Sequence, residues 1–523
     1  MFNNQKHNVI ILADFTDTIM FSKTVGPYKV AHELRLAGYE VAVIHHLHGF
    51  SYNELIDVLS KIVNEKTLFI GFNTFFMKKM PGLIDVDKHF TYDSKEPGMM
   101  LPHGKAYNID FKNELKKLNP NLKFVLGGPD TNDVEYNKDF DYQVIGYGDQ
   151  SMINLANHLA YGEKLEKSFK SVFGPIIVND SKAENFDFVN STLEYKPYDA
   201  VLPGETLAIE ISRGCIFRCD FCSYPLNGKK KLDYLKNEEL LYKEFLRNYE
   251  QFGVSRYMFS DDTFNDSIEK VDMMLRISKR LPFQLEYWAY IRLDLLGARI
   301  EMLPKLYESG LRSAFFGIET LNYKTGSAIG KGQKKETQIE TLWYIKKHYP
   351  DIHMDGSFIF GLPHESVESC RETAKFLLSN ESPLDSFNVS PFWLAAEPKI
   401  LAGFTSLIES NLGKYGYQIK GTRNNFLIWE NEHMDFFEAE KMANETEELG
   451  FANGKKKTCG QVTYMQAGIG VSVDFIREMN ADTTSKNWKK VILLKLKRLK
   501  EYKSKLYKEL GIDVKNITSG SSR

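Results

Sequence analysis

The sequence predicts an α/β protein built from two consecutive strand–helix arrays and a mainly helical C-terminal region. Short Val- and Ile-rich runs alternate with helical patterns over residues 8–160. A second alternating array begins at "TLAIEIS" (206–212), and beyond residue 400 the alternation gives way to helical patterns. Alternating strands and helices, with strands that are apolar on both faces, are typical of parallel sheets covered by helices.

Length and composition restrict the class of protein. The 523 residues are too many for one hydrophobic core. A net charge of -2 does not favour a nucleic-acid or membrane-surface partner. No apolar run reaches the roughly 18 residues of a spanning helix, so we expect no membrane insertion. Three of the five cysteines are clustered, which indicates a metal site in a reducing compartment, and therefore a cytoplasmic protein.

The first array predicts a doubly wound, Rossmann-like domain over residues 1–165. The predicted strands are 8–14, 39–47, 67–75, 123–128 and 142–148, and the predicted helices are 28–37, 51–63, 107–118 and 149–160. Residues 76–105 lack periodicity and are expected to form an insertion loop. Glycine-rich turns follow two of the strands, in "GGPD" and "GYGD", where doubly wound sheets bind ligands. Residues 166–205 are predicted to be a linker.

The second array predicts a partial β/α barrel of six strand–helix units over residues 206–395. The predicted strands are 206–212, 256–262, 285–292, 312–320, 354–363 and 385–394, and the predicted helices are 235–250, 267–280, 299–308, 335–347 and 366–378. Residues 396–523 are predicted to be mainly helical. They include the Lys-rich helix 486–510, which we expect to pack on the protein with its lysines in solvent.

Three cysteines carry the strongest chemical signal. Cys215, Cys219 and Cys222 have the spacing C-x3-C-x2-C, on a loop that opens with Gly214 at the end of a predicted strand. Three thiolates on one loop fit a cubane [4Fe–4S] cluster with one iron left open. Zinc usually takes four ligands, and no fourth Cys or His is near in sequence. A zinc site and a purely redox-active cluster are the alternatives.

Five segments together resemble the radical S-adenosylmethionine (SAM) enzymes. The cysteine motif, with the aromatic Phe221 before its last Cys, follows the first barrel strand as in that family. "FSDDTF" (259–264), "WAYIRLDLL" (288–296), "GLRSAFFGIETLNYKTGSAIGKG" (310–332) and "DGSFIFGLPHESVESCRETAKFLL" (355–378) resemble the blocks at its second to fifth strands. These segments span residues 206–380 in the family's order.

The resemblance implies a reaction and its cofactors. Cys215, Cys219 and Cys222 would hold the cluster, whose open iron chelates the amino and carboxylate groups of SAM. One-electron reduction, from an external donor of flavodoxin or ferredoxin type, then yields methionine and a 5'-deoxyadenosyl radical. That radical abstracts a hydrogen atom from the substrate.

The resemblance also implies candidate binding residues in the barrel. Glu319, at the end of the fourth strand, is expected to bind the amino group or ribose of SAM. Arg292, at the end of the third strand, would grip the SAM carboxylate, and Lys331 and Phe221 are further candidates for binding SAM. Asp261 and Asp262 end the second strand and are expected to touch substrate or cofactor at the pocket mouth.

The doubly wound domain ahead of the barrel resembles the cobalamin-binding subclass of this family. The resemblance lies in "FVLGGPDTN" (124–132) and "DYQVIGYGDQSMINLANHL" (141–159). The residues expected to approach the corrin are Gly127, Gly128, Pro129, Gly146 and Gly148. The sequence departs from the subclass in "ADFTDTIMFSKTVGPY" (13–28), which has no D-x-H-x-x-G and therefore no histidine to bind cobalt from below. A domain that keeps the fold and binds nothing is the alternative.

The leading functional hypothesis is a cobalamin-assisted methylation of an unactivated carbon. A cobalamin-assisted rearrangement or cyclisation is the first alternative, and a radical SAM enzyme without cobalamin is the second. Outside this class, the chain would be an iron–sulfur electron-transfer or binding protein without catalysis. Nothing in the sequence names the substrate.

Overall fold

A computed structural model describes most of the chain. The described residues are 6–14, 21–50, 52–73, 109–128, 140–171, 174–180, 185–224, 226–230, 232–396, 405–423, 426–452, 468–472, 474–475 and 485–513. Pro129 and the insertion expected at 76–105 lie outside these ranges.

The first domain contains a parallel sheet with helices on its faces. Its strands, with one short strand that joins the second sheet, are β1 (Asn8–Leu12), β2 (Ser22–Lys23), β3 (Glu40–Ile44), β4 (Thr67–Asn73), β5 (Lys123–Gly127), β6 (Tyr142–Gly146), β7 (Ser168–Lys170) and β8 (Ile176–Asp180). The helices are α1 (Val25–Leu36), α2 (Tyr52–Ile62), α3 (Ile109–Leu118) and α4 (Gly148–Tyr161). The sheet order is β3-β1-β4-β5-β6-β8-β7. This is the flavodoxin-like winding, in which ligands bind at the carboxyl edge of the strands.

The stretch predicted to be a linker extends this first sheet, which corrects the sequence interpretation of 166–205. β8 pairs in parallel with β6, and β7 pairs antiparallel with β8. β7 is short and exposed at the sheet edge, so it shows little of the apolar alternation that marks a strand in sequence.

The second domain is an open β/α barrel that contains all six predicted strands. They are β9 (Thr206–Ile209), β10 (Arg256–Phe259), β11 (Glu286–Ile291), β12 (Leu311–Glu319), β13 (His353–Phe360) and β14 (Ser386–Pro391). The helices between them are α5 (Glu238–Phe252), α6 (Ile268–Arg280), α7 (Leu293–Ala298), α8 (Met302–Ser309), α9 (Tyr323–Ala328), α10 (Lys335–His348) and α11 (Val367–Leu378). Neighbouring strands are parallel and follow chain order, so their carboxyl ends share one rim.

A strand from the first domain continues the barrel sheet. β2 pairs in parallel with β9 through Ser22↔Thr206 and Lys23↔Leu207. Between β1 and α1, where the sequence lacks the D-x-H-x-x-G motif, the chain thus contributes β2 to the edge of the barrel sheet. Two residues are too few to show a periodicity, and the sequence interpretation missed this strand.

The C-terminal region is helical with one added hairpin. It contains α12 (Leu407–Ser410), the antiparallel pair β15 (Gln418–Arg423) and β16 (Phe426–Glu430), then α13 (Phe436–Ala452) and α14 (Ser485–Leu510). The region is mainly helical, as predicted, and the hairpin is an addition that the sequence interpretation did not contain. Within the described ranges, no helix is both long enough and apolar enough to cross a membrane.

Helix α14 packs on the first domain and on the segment that leads into β9. Its buried residues include Leu499, Tyr502 and Leu506. The Tyr502 hydroxyl accepts from the His45 backbone N–H at 2.8 Å, and Arg498 Nη2 donates to the Pro203 carbonyl at 2.8 Å. The Lys-rich helix therefore packs as predicted.

Candidate functional site

The loop that carries the three cysteines has a tightly determined backbone. Gly214 opens the loop at φ +114°, and a Cβ at this position would lie 2.6 Å from the Leu226 carbonyl oxygen. Only glycine adopts this conformation without strain. The Cys215 N–H donates to that same carbonyl at 3.1 Å, and the Cys222 N–H donates to the Cys219 carbonyl at 3.0 Å.

The three sulfurs lie in a partly dry environment with donors beside them. Cys215 is buried, and Cys219 and Cys222 are half-buried. Asn227 Nδ2 lies 3.2 Å from Cys222 Sγ, and Arg292 Nη1 lies 3.5 Å from Cys219 Sγ. Such donors stabilise a thiolate and tune the iron it binds.

Burial favours the protonated form of these thiols when no metal is bound. It raises the pKa of Cys215 to about 11 and also raises the pKa of Cys222. A coordinating metal holds a thiol deprotonated, so the donor set fits a cluster. Among the described residues, no three His, Cys, Asp or Glu side chains are placed around a single ion. In a cubane cluster each thiolate binds a different iron, so the sulfurs need not converge on one ion.

Arg292 lies where the cysteine loop meets the third and fourth barrel strands. It is largely buried, and its guanidinium is 4.1 Å from the centre of the Phe217 ring. Nε donates to Asp294 Oδ1 at 3.0 Å, and Nη2 donates to the Gly330 carbonyl at 3.2 Å. Burial alone would lower the pKa of Arg292, but Asp294 outweighs it and the pKa is raised. The side chain is thus a fixed cation beside the cluster loop.

Glu319 and Lys331 form a pair at the end of β12. Lys331 Nζ donates to Glu319 Oε1 at 2.6 Å and to the Gly317 carbonyl at 2.9 Å. The same ammonium group is 5.5 Å from the Phe221 ring, so the pair lies next to the cysteine loop. Three of the predicted SAM-binding residues are therefore neighbours. Their role toward SAM stays a prediction.

Asp261 and Asp262 differ in their contacts. Asp261 is buried, and its Oδ1 accepts from the backbone N–H groups of Ile211 and Ser212 at 3.1 and 2.5 Å. It therefore ties the end of β10 to the end of β9, directly before the cysteine loop. Asp262 is partly exposed, and burial followed by the charge of Asp261 raises its pKa to about 6. Of the two, Asp262 is the one with access to a ligand.

The turn after β6 contacts the barrel next to the cysteines. Gly146, at φ +84°, turns the chain into α4. Asp149 in the first turn of α4 accepts from Arg213 Nη1 at 2.7 Å, and both side chains are buried. The Arg213 guanidinium also lies 4.6 Å from the Tyr147 ring. Since Arg213 is two residues before Cys215, this contact brings the first domain to the cluster loop.

The glycines after β5 leave room at the same sheet edge. A Cβ added to Gly127 would meet no atom within 4 Å, whereas one on Gly148 would lie 3.1 Å from Val30 Cγ2. Gly128 adopts φ +114°. Among the described residues a Cβ at Gly127 would be uncrowded, while the crowding at Gly148 serves the packing of α4 on α1. Contact of these glycines with a corrin stays a prediction.

Two contributors to the site were absent from the sequence prediction. Arg213 and Asn227 lie outside the C-x3-C-x2-C spacing, and only the folded loop brings Asn227 to Cys222. Arg213 carried one usable signal, a charged residue between an apolar strand and a cysteine loop. Its partner Asp149, 64 positions earlier, stands in the "GYGD" turn, which indicated a ligand edge but not this ion pair.

Comparison with known proteins agrees with this site. Residues 209–377 match the family model described as the Radical SAM superfamily. An uncharacterized methyltransferase of Pyrococcus horikoshii is 28% identical over 282 residues, which is 50% of this chain. The chain covers 59% of that protein's length.

Two solved structures share the overall fold. One is the radical SAM methyltransferase TsrM from Kitasatospora setae, with cobalamin and a [4Fe–4S] cluster bound. Its TM-score is 0.55 at 14% identity, covering 80% of this chain and 82% of that one. The other is the cobalamin-dependent SAM radical enzyme OxsB, with aqua-cobalamin and SAM bound. Its TM-score is 0.53 at 13% identity, covering 98% of this chain and 82% of that one. At these identities the similarity shows the fold alone, and it confirms the predicted architecture. Residues 209–377, which contain the three cysteines and the barrel strands around them, are thus similar to the Radical SAM superfamily.

Proposed function

We propose that this protein is a radical SAM methyltransferase that uses a [4Fe–4S] cluster, SAM and cobalamin. The observation that carries the proposal is the placement of Cys215, Cys219 and Cys222 on one loop between Arg292 and the turn after β6. Arg213, just before the first cysteine, meets Asp149 of the first domain, and Arg292 of the barrel lies beside Cys219. The cluster and SAM supply one-electron cleavage to a carbon radical, and cobalamin supplies methyl transfer.

The chain's own side chains would bind and shield these groups. Arg292 presents a buried cation beside Cys219, which suits the carboxylate of SAM. Glu319 and Lys331, whose charges neutralise each other at 2.6 Å, can instead pair with the ammonium and oxygen atoms of SAM. The barrel and the first domain exclude bulk water from the loop, which a low-potential reduction requires.

Cobalamin is supported by the first domain. Its flavodoxin-like order puts a ligand edge toward the barrel, and Gly127 leaves open space there. The Pyrococcus horikoshii relative is described as a methyltransferase, TsrM is a methyltransferase with cobalamin bound, and OxsB is a cobalamin-dependent enzyme. We infer methylation of an unactivated carbon, in the cytoplasm, with an electron donor of flavodoxin or ferredoxin type. A radical rearrangement on the same scaffold is the second candidate, because the two reactions use the same cofactor edge.

Cobalt stoichiometry tests the cobalamin part of the proposal. The cluster is reconstituted anaerobically, hydroxocobalamin is added, the protein is desalted, and cobalt per chain is measured. We expect about one cobalt per chain, as for a single corrin site. An intact cluster without cobalt would contradict the methyltransferase and leave a radical SAM enzyme without cobalamin.

Iron content tests the cluster ligands. Cys219→Ala should abolish the cluster, because a cubane with one open iron needs all three thiolates. Cys370→Ala is the matched control, since Cys370 is fully buried in α11 beside Glu365 and away from the loop. Iron and sulfide are measured after anaerobic reconstitution. Unchanged iron in Cys219→Ala would overturn the ligand assignment.

Formation of 5'-deoxyadenosine separates an enzyme from an electron-transfer protein. The reconstituted protein is reduced with dithionite in the presence of SAM. We expect 5'-deoxyadenosine and methionine in equal amounts from the wild type and none from Cys219→Ala. A reduced, intact cluster that binds SAM without cleaving it would favour a non-catalytic role.

A further inference from the structure

Asp220, the first of the two residues between the second and third cysteines, is bonded by two later parts of the chain. The Asp220 N–H donates to the Ile329 carbonyl at 3.2 Å, and the Ile408 N–H donates to the Asp220 carbonyl at 3.0 Å. The Tyr415 hydroxyl donates to Asp220 Oδ2 at 2.5 Å. Main chain and side chain of one loop residue are thus both bound from outside the loop.

The two contacts from beyond residue 400 come from a single compact segment, residues 405–417. At its start, Ser406 and Glu409 cap α12 reciprocally, with the Glu409 N–H to Ser406 Oγ at 3.0 Å and the Ser406 N–H to Glu409 Oε2 at 2.8 Å. At its end, the Tyr417 hydroxyl donates to the Gly361 carbonyl at 2.7 Å. Ile408 is fully buried between these anchors. The segment is therefore capped at its start and hydrogen-bonded to the barrel at its end.

The Tyr415–Asp220 bond is specific rather than incidental packing. Tyr415 and Asp220 are both half-buried, so the bond is partly shielded from water. Hydrogen bonds to a charged acceptor are about twice as strong as neutral ones. Burial and the bond to Asp220 raise the pKa of Tyr415 to about 12, so the phenol remains a donor at physiological pH.

We propose that residues 405–417 form a strap that fixes the cysteine loop in its cluster-binding conformation, with Tyr415 and Asp220 as positioning residues. The strap bonds the carbonyl and the carboxylate of Asp220, while Ile329, at the C-terminal end of α9, accepts from its backbone N–H. Cys219 and Cys222 flank Asp220 closely, so the directions of both sulfurs depend on it. The proposal rests on the cluster assignment above and adds a residue pair that the cysteine motif does not contain.

Amide hydrogen exchange and cluster lability test the strap together. Tyr415→Phe removes the hydroxyl alone, and Tyr307→Phe is the control, because Tyr307 makes a tyrosine–aspartate bond to Asp351 at 3.0 Å on the surface. Exchange over residues 216–224 is measured in the full-length protein without metal. Loss of the cluster to EDTA is followed by visible absorbance after reconstitution.

We expect about tenfold faster exchange and cluster loss in Tyr415→Phe, the factor for losing a hydrogen bond to a charged group. Asp220→Asn keeps an acceptor oxygen without the charge and should fall between the wild type and Tyr415→Phe, whereas Asp220→Ala should match Tyr415→Phe. The double variant Tyr415→Phe/Asp220→Ala should be no faster than either single variant, because both remove the same bond.

The outcomes separate this proposal from the proposed function. If the wild-type protein takes up no iron, the cluster assignment is refuted. Amide exchange in the metal-free protein would still show whether residues 405–417 hold the cysteine loop. Equal exchange over 216–224 in Tyr415→Phe, Tyr307→Phe and wild type would overturn the strap even if the cluster forms.

Discussion

At the end of β12, Glu319 adopts a backbone conformation that a glutamate rarely takes. Its φ is +67°, in the left-handed region, and the register between β12 and β13 shifts at this point. Such a conformation costs roughly 1–2 kcal/mol for a residue with a Cβ. The next residue, Thr320, donates its hydroxyl to Glu365 Oε1 at 2.9 Å. Glu365 therefore helps to hold Glu319 in a strained conformation at the predicted cofactor site, as is common at ligand sites.

Glu365 should make the stability of the protein depend on pH. Burial raises its pKa to about 7 from an ordinary value near 4.5. The folded protein holds this proton more tightly than the unfolded chain does. The resulting stabilisation is complete below about pH 4.5 and is lost as pH rises through about 7. The whole effect is on the order of 3 kcal/mol.

Glu365→Gln removes this titration and can still bond Thr320 and the Gly361 N–H. Between pH 5 and pH 8, the wild type should lose stability relative to Glu365→Gln, measured by chemical denaturation. Glu372→Gln on the exposed face of α11 serves as control and should track the wild type. A constant difference between wild type and Glu365→Gln across this range would contradict the prediction.

At the scale of elements, the backbone of the cysteine loop is fixed by hydrogen bonds and by contacts with neighbouring elements. Its backbone bonds run to the Leu226 carbonyl and between Gly228 and the Phe217 carbonyl at 2.9 Å. The Arg213–Asp149 ion pair fixes its start, and Arg292 lies over its middle. The loop can therefore hold its three sulfurs in place before metal binds, which lowers the ordering cost of cluster assembly.

Gly214→Ala should prevent this turn from closing. The new Cβ would lie 2.6 Å from a carbonyl oxygen, in a backbone conformation that alanine disfavours. We expect a loss of stability of about 2 kcal/mol or more and a sharp fall in iron bound on reconstitution. Gly253→Ala is the matched control: it has φ +65° at the end of α5 and open space around its Cβ. Normal iron binding by Gly214→Ala would show that the turn is dispensable.

At the scale of the whole molecule, the first domain and the barrel are joined around a buried ion pair. Lys23 of β2 donates to both Glu205 oxygens, at 2.8 and 3.0 Å, and both side chains are fully buried. The Tyr502 ring of α14 lies 5.0 Å from the Lys23 ammonium. Three separate parts of the chain therefore meet where β2 joins the barrel sheet.

Lys23→Met should destabilise the protein by about 3–5 kcal/mol, because it leaves the Glu205 carboxylate buried and unpaired. Adding Glu205→Gln removes that charge and keeps an acceptor for the Leu202 N–H, so the double variant should be more stable than Lys23→Met. Thermal unfolding of the two variants measures the difference. A double variant as unstable as Lys23→Met would show that the charge is not the cause.

Much of the architecture was predictable from local pattern. Apolar runs are long enough to identify the six barrel strands and the first five strands of the doubly wound order. The spacing of the cysteines identifies the cluster loop. Periodicity reports only how a segment buries its own face. It therefore missed the two-residue β2, the edge strand β7 and the hairpin β15–β16, whose pairing depends on distant segments.

By itself, the sequence determined the fold class, the order of the barrel strands and the three cysteines, because each depends on residues close together in the chain. Only the tertiary structure decided what surrounds those cysteines. Asp149 meets Arg213 across 64 positions, and Tyr415 meets Asp220 across 195. Such pairs form because folding brings distant side chains into shielded contact, and nothing near either residue in the sequence marks its partner. Neighbouring residues are enough to identify the cysteine loop, but its rigidity depends on contacts with distant parts of the chain.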